Sequence, residues 1–515
     1  MTGDNRKPAR LDGLLAAAAK AHPARPALAD GDRTWTYAEL DAAVGELARR
    51  IEGAGVRPGD RIGVFAAKSA EAVLGIHAGL RAGAVVAPLD VRGPVARTRR
   101  MREQAGFSLL LTTPSALGAA RAVAGAGEDH EPGELGHGLG WLRCEPAPPA
   151  GNSIGGGYVL FTSGSTGWPK GVLLSHENVA HFATWAAEEV GLVPTDRVGS
   201  QAALTFDLST FDLFSTAAAG ACVVLMPERI KAFPRDVAGW LTDNAVTVLY
   251  AVPSLYQELL ERGGVRDGLP PSLRALLYAG EPFSPHALEQ YLKLLDGKPA
   301  YNLYGPTETN VCTFTRVPPD WTAARELTVG GAVPGDVVDV FDESGRPTDG
   351  DGEICVAGAT VFQGYLEAGE LRDPSRRLRF RDGVVRRAYA TGDLGTRTPD
   401  GRIRLRGRRD VQVKRRGYRI DLGELESVAA ELPGIGAVAA VQKPGGEIWV
   451  YAAGSAADSD VLRHLGGHLP AYMLPDRVVR LAALPVNDRG KTDRLALAAA
   501  PPPELPTGDE TRGSR

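Results

Sequence analysis

Cysteine is scarce in this 515-residue chain: Cys144, Cys222, Cys312 and Cys355 are the whole complement, and they stand far apart. The four lack the spacing of a cysteine-based metal cluster, and reduced thiols are expected. A strong charge of either sign is also missing. With 58 Lys and Arg against 62 Asp and Glu, the net charge is −4, which gives no electrostatic case for a nucleic-acid partner. No stretch approaches the roughly 20 apolar residues of a membrane span. The opening segment MTGDNRKPAR has no apolar signal core, so a cytoplasmic protein is expected. Internal repeats are absent too. The balance of 43% hydrophobic and 23% charged residues is that of an ordinary globular protein, and the length implies two or more domains.

What is present is alternation. Helical apolar patterns at residues 11–20, 37–51 and 70–82 interleave with buried-strand patterns at 61–66 and 84–89. Such alternation predicts an α/β fold with a parallel sheet covered on both faces. Further strands are predicted at 158–161, 246–250 and 276–279. Residues 124–157, rich in Gly, Pro and Glu, read as a surface excursion. Short strands with turn signals over 327–407 predict a β-rich subdomain. The basic run Lys414-Arg415-Arg416 marks a change of character. The expected division is a large N-terminal domain over 1–409, a small mobile α+β domain over 410–500, and a polar, Pro-rich, disordered tail over 501–515.

One loop carries phosphate chemistry. Thr162-Ser163-Gly164-Ser165-Thr166-Gly167-Trp168-Pro169-Lys170-Gly171 follows the strand at 158–161. Glycines let backbone N–H groups approach phosphate oxygens, hydroxyls donate further bonds, and the lysine offsets charge. G-x-x-x-x-G-K-[ST] cannot be laid over it, so it is not a Walker A loop. A flexible Ser/Gly linker would not follow a buried strand and end in Pro-Lys-Gly.

This loop resembles the phosphate loop of the adenylate-forming superfamily: acyl-CoA synthetases, luciferases and nonribosomal peptide synthetase adenylation domains. Other motifs follow in the family's order. Trp35-Thr36-Tyr37-Ala38-Glu39-Leu40 and Arg81-Ala82-Gly83-Ala84 resemble its early structural motifs. Asn302-Leu303-Tyr304-Gly305-Pro306-Thr307-Glu308-Thr309 resembles its adenine and metal motif. Then come Gly352-Glu353-Ile354, Tyr389-Ala390-Thr391-Gly392-Asp393-Leu394, Gly407-Arg408-Arg409-Asp410 and Gly417-Tyr418-Arg419-Ile420-Asp421. Leu469-Pro470-Ala471-Tyr472-Met473-Leu474-Pro475 and Gly490-Lys491-Thr492-Asp493-Arg494 close the series, so the resemblance runs over roughly residues 10–500.

The resemblance implies roles residue by residue. ATP would be held by Thr162, Ser163, Gly164, Ser165 and Gly167 of the loop, with Thr166 and Lys170 serving catalysis, and by Gly280. Tyr304 would stack on adenine and Asn302 would read its amino group. Thr307 would touch the α-phosphate, Glu308 would hold Mg²⁺, and Asp393 would accept the ribose hydroxyls with help from Arg408. Lys491 would stabilise the charge that develops as a substrate carboxylate attacks the α-phosphorus. Arg489 stands two places before it, where the family often has Asn. Asp410 would be the hinge on which the small domain turns between two half-reactions.

Phe206-Asp207-Leu208-Ser209 resembles the motif in which adenylation domains bind the substrate's α-ammonium. Asp207 would carry that contact, because a buried carboxylate wants a cationic partner; helix capping is the plainer alternative. The rest of the implied pocket is Leu208, Phe211, Ser254, Leu277, Ala279, Leu303, Val311 and Cys312. With no charge beyond Asp207, it implies a small neutral amino acid such as cysteine, serine or alanine. The expected reaction is ATP-dependent formation of an aminoacyl adenylate, then transfer to a phosphopantetheine thiol. An acid:CoA ligase is the alternative.

Leu465-Gly466-Gly467-His468-Leu469 is similar to a carrier-protein motif, but Leu469 stands where the modified serine would be. The segment reads as a Gly pair ending a helix. No carrier, condensation or thioesterase segment is visible, so a separate carrier protein is the expected partner. Which amino acid and carrier, and whether a small accessory protein is needed, are left open by the sequence.

Overall fold

The structure, a computed structural model, describes residues 10–125, 131–145, 156–163, 168–409, 412–415, 417–486 and 492–501. The chain forms two units. The larger comprises Met1–Thr162, Pro169–Asp410 and Arg416–Arg419, and the smaller Ser163–Trp168, Val411–Arg415 and Ile420–Arg515.

Two nine-stranded sheets and one five-stranded sheet build the larger unit. The first sheet has a parallel centre, Pro26–Asp30, Cys222–Leu225, Arg197–Ser200, Val248–Ala251, Ala275–Tyr278 and Ala300–Tyr304, in that spatial order. The expected parallel sheet forms this centre, and antiparallel strands close its edges. The second sheet repeats the plan around Leu109–Thr112, Arg61–Phe65, Val85–Leu89 and Gly157–Thr162. Central strands such as Val85–Leu89 are buried throughout, which is why they read as continuous apolar runs. Each fully buried Leu or Val contributes roughly 1.5–3 kcal/mol. The third sheet is antiparallel, with Asp336–Phe341, Gly352–Gly358, Val385–Arg397, Arg376–Arg379 and Ile403–Arg408, and supplies the predicted β-rich region.

The predicted helices are present as Leu11–Ala21, Tyr37–Gly53 and Ala70–Arg81. The second starts where it does because Thr36 and Glu39 form a reciprocal capping box, which satisfies two otherwise orphaned N–H groups. The surface excursion over 124–157 is corrected in part: Gly133–Gly136 and Leu139–Arg143 extend the second sheet. Their Leu135, Leu139 and Leu142 are buried, but these apolar residues follow no regular period and are hidden among the surrounding Gly and Pro.

In the smaller unit, Ile435–Gln442 runs antiparallel to Ile448–Gly454, which is parallel to Arg477–Leu481. Ala439, Val441, Trp449, Tyr451, Val479 and Leu497 form its core. The Lys443 ammonium donates to the carbonyls of Leu497, Ala498 and Ala500, satisfying the end of the helix Arg494–Ala499. Gly466 and Gly467 lie in the last turn of Asp458–His468, at the end of that helix as expected. None of the described helices is long and apolar enough to cross a membrane.

Candidate functional site

The phosphate-type loop does not simply follow a strand. It closes a hairpin in which Gly157–Thr162 pairs antiparallel with Lys170–Ser175, and Thr162 stands opposite Lys170. Both ends of the loop are therefore pinned in a ladder. Lys170 is half-buried, with its ammonium 3.9 Å from Glu367 Oε1 and above the Tyr365 ring. The Ser163 hydroxyl accepts from the Asp421 N–H at 2.9 Å within the smaller unit. Gly164, Ser165, Thr166, Gly167, Asp410 and Lys491 lie outside the described residues.

Tyr304, Asp393 and Arg408 come together, although they are distant in sequence. The Tyr304 hydroxyl donates to Asp393 Oδ2 at 2.6 Å, and Arg408 Nη1 meets Asp393 Oδ1 at 2.5 Å. Antiparallel pairing places Asp393 directly beside Arg408. Burial, and then the Asp393 charge, hold the Tyr304 hydroxyl far from ionising. Asn302, on the same strand as Tyr304, donates to the Thr328 carbonyl at 3.2 Å. Gly280 follows the neighbouring strand with φ +91°, a conformation that glycine adopts freely.

The turn after Tyr304 is tight. A Cβ on Gly305 would stand 1.7 Å from the Asn310 carbonyl oxygen, so only glycine fits. The turn presents Thr307 and Asn310 to the segment at 207–210, about a hundred residues earlier. Thr307 Oγ1 donates to Asp207 Oδ2 at 2.7 Å, and Asn310 Nδ2 donates to Thr210 Oγ1 at 2.9 Å. Two hydrogen bonds thus latch the two predicted motifs together.

Glu308, on the same turn, is 1% exposed. Tyr365 donates to it at 2.7 Å, and Arg419 pairs with it at 3.0 Å. Burial alone would push its carboxyl up, but the Arg419 charge and the Tyr365 hydroxyl outweigh burial and hold it below the usual range. Arg419 and Tyr365 were not assigned roles from the sequence. Arg419 lies within a quoted motif, yet nothing local reveals a partner 111 residues away.

The expected pocket residues are brought together only in part. Leu208, Phe211, Leu277, Ala279, Leu303 and Val311 share one buried apolar cluster. Cys312 belongs instead to the core that includes Tyr304, with its thiol near the Tyr304 carbonyl. Ser254 is half-buried, and its N–H donates to Glu281, which also accepts from Gly417 N. Sequence reasoning missed Glu281 and also Tyr250, whose ring packs edge-on to Phe211 at 5.5 Å. Asp207 does not act simply as a helix cap, since its side chain reaches Thr307. A separate cavity of about 140 Å³, lined by Lys68, Asp90, Arg92, Glu228 and neighbours, includes none of the predicted residues.

Comparison with known proteins identifies the family. A family described as AMP-binding enzyme matches residues 15–366. An L-proline–[L-prolyl-carrier protein] ligase of Streptomyces coelicolor is 36% identical over 523 residues, covering 95% of this chain and 96% of that protein. An enzyme of the same description from Pseudomonas fluorescens is 32% identical, covering 93% and 96%. Among solved structures, holo-PA1221, a nonribosomal peptide synthetase protein with adenylation and carrier domains, superposes with a TM-score of 0.76. It is 26% identical, covering 95% of this chain and 84% of that one.

Proposed function

This chain belongs to the AMP-binding enzyme family, and we propose that it activates a small neutral amino acid with ATP and passes it to a carrier protein's phosphopantetheine thiol. It is an AMP-forming ligase of the amino acid adenylation type. The relatives add L-proline to cysteine, serine and alanine as candidate substrates. Proline's ring is apolar, in keeping with the Leu208, Phe211, Leu277, Leu303 and Val311 cluster, and its ammonium retains two N–H donors for a carboxylate.

The observation that carries the reading is the 2.7 Å bond between Thr307 and Asp207. On the proposed assignment Asp207 holds the substrate ammonium and Thr307 meets the α-phosphate. With these roles, the substrate carboxylate, one carbon from its ammonium, would lie next to the phosphorus it must attack. Attack forms a mixed anhydride and expels pyrophosphate. Lys491, with Thr166 and Lys170, would stabilise the negative charge that develops on the phosphoryl and leaving oxygens. Tyr304 and Asn302 would hold adenine, and Asp393 with Arg408 the ribose.

The donor set fits a divalent magnesium ion. Glu308 offers hard carboxylate oxygens and is held ionised, with Arg419 supplying a counter-charge. Held by Glu308, the ion would supply positive charge to offset that of the phosphates. In the second half-reaction the carrier thiol attacks the anhydride carbonyl and AMP leaves. Rotation of the smaller unit about Asp410 would remove Lys491 and admit the thiol. A cytoplasmic setting completes the proposal.

Pyrophosphate–ATP exchange across the proteinogenic amino acids, acetate, benzoate and fatty acids tests it. Exchange is expected with one small neutral amino acid, reduced at least about a hundredfold in Lys491→Ala, the scale of losing one charge-stabilising donor. Exchange only with acids lacking an amino group would overturn the role of Asp207 and favour an acid:CoA ligase.

A further inference from the structure

We propose that the smaller unit carries a transition-metal site formed by His464, His468 and Glu431, selective for zinc-like ions over magnesium. The three side chains each offer a ligand atom, and these atoms lie within 4.8 Å of one another. His464 and His468 are four residues apart on the helix Asp458–His468, a spacing that puts both on one face. Their ring centroids are 4.4 Å apart. Glu431 caps the neighbouring helix Leu422–Ala430 at its C-terminal end.

A second observation points to a ligand. One nitrogen of each ring is already committed to a backbone carbonyl. His464 Nε2 donates to the Val428 carbonyl at 3.0 Å, and His468 Nδ1 donates to the His464 carbonyl at 2.8 Å. A carbonyl can only accept, so those nitrogens carry the protons. The lone pairs are therefore on His464 Nδ1 and His468 Nε2. Metal-binding histidines typically show this division, because the outer carbonyl fixes the tautomer and ring orientation and makes the other nitrogen a better ligand. The Val428 carbonyl that orients His464 also accepts the Glu431 N–H, so one carbonyl locates two of the three ligands.

Zinc sits about 2.0–2.2 Å from such donors, which requires the three to draw inward. The exposed Glu431 side chain is free to swing. Two imidazoles and one carboxylate leave a fourth position for water, and they suit Zn²⁺, Ni²⁺ or Cu²⁺ rather than Mg²⁺, which takes oxygen donors. A bound ion would clamp the end of Leu422–Ala430 to Asp458–His468. This also gives a use to the Gly466-Gly467-His468 segment, which the adenylation chemistry does not employ.

The test is calorimetric titration of the chelator-treated, tag-free full chain with Zn²⁺ in excess Mg²⁺. One equivalent should bind the wild type with a micromolar Kd. Affinity should fall at least about tenfold in His464→Ala and in His468→Ala, since even an outer-sphere partner is worth that much, and should also weaken in Glu431→Gln. Glu431→Gln alters an exposed side chain and keeps the test valid if a histidine variant fails to fold. Co²⁺ added to the wild type should give the visible absorption of a nitrogen- and oxygen-ligated ion, weakened in Glu431→Gln. No stoichiometric zinc uptake by the wild type would overturn the site, as would uptake unchanged in the histidine variants and Glu431→Gln.

Discussion

Glu308 and Asp212 are two carboxylates buried to the same depth, at 1% and 0% exposure, and their surroundings drive them in opposite directions. Glu308 has the Tyr365 hydroxyl and the Arg419 guanidinium within 3.0 Å, and it stays ionised. Asp212 has no well-formed hydrogen bond to either oxygen, although the Ser200 hydroxyl is near. Burial pushes its carboxyl up, only partly opposed by Lys68. Lys68 spends its ammonium on the carbonyls of Ser200 and Ala202, and burial pushes it down. Depth alone does not fix charge; aimed donors do. The arrangement proposed to face a metal ion is kept charged, while the carboxylate five residues beyond Asp207 is driven towards neutrality.

Arg419→Leu should have the largest effect on this contrast. It leaves Glu308 buried without its counter-charge, and urea unfolding should show a loss of about 3–5 kcal/mol. A loss under about 1 kcal/mol would mean that Glu308 does not depend on that partner, and the comparison would fail.

Acid tests whether burial without good partners favours neutral forms elsewhere. His77 and His176 are both pushed down to about 4, chiefly by burial, and each has an unpartnered ring nitrogen. Unfolded, they would take up protons near their ordinary value of 6.5. The unfolded state therefore binds more protons between those values, and stability must decline as pH falls from 6.5 to 4, by as much as about 3 kcal/mol for each histidine. Replacing either by Gln should flatten that stretch of the stability–pH profile; an unchanged slope would count against buried neutral imidazoles. The smallest effect is expected from Asp212→Asn. If the carboxyl is driven neutral, an isosteric amide should change stability by less than about 1 kcal/mol. A loss comparable to that of Arg419→Leu would show instead that Asp212 is ionised.

Much of the candidate site is legible because the proposed chemistry needs particular residues in fixed local order. The Gly- and hydroxyl-rich loop, the Tyr304–Glu308 turn and Asp393 with Arg408 are all recognisable as local patterns in the sequence. Periodicity also located the buried strands, since both faces of a parallel centre are covered. What could not be read were partnerships across long stretches of chain. Arg419 with Glu308, Asn310 with Thr210 and the hairpin that seats Lys170 depend on which strands become neighbours, and local pattern does not encode that. Cys312 went to a different core for the same reason: one residue's step along the chain separates it from Val311, and the two face different clusters.

The bond from Thr307 to Asp207 has a consequence for cooperativity. On the proposed assignment each residue serves a different ligand, so neither ligand can bind without altering the other's environment. Whatever free energy separates amino acid binding with and without nucleotide must separate nucleotide binding with and without amino acid by the same amount. A Thr307→Val enzyme should lose part of that mutual dependence, and its two substrates should then bind more nearly as strangers.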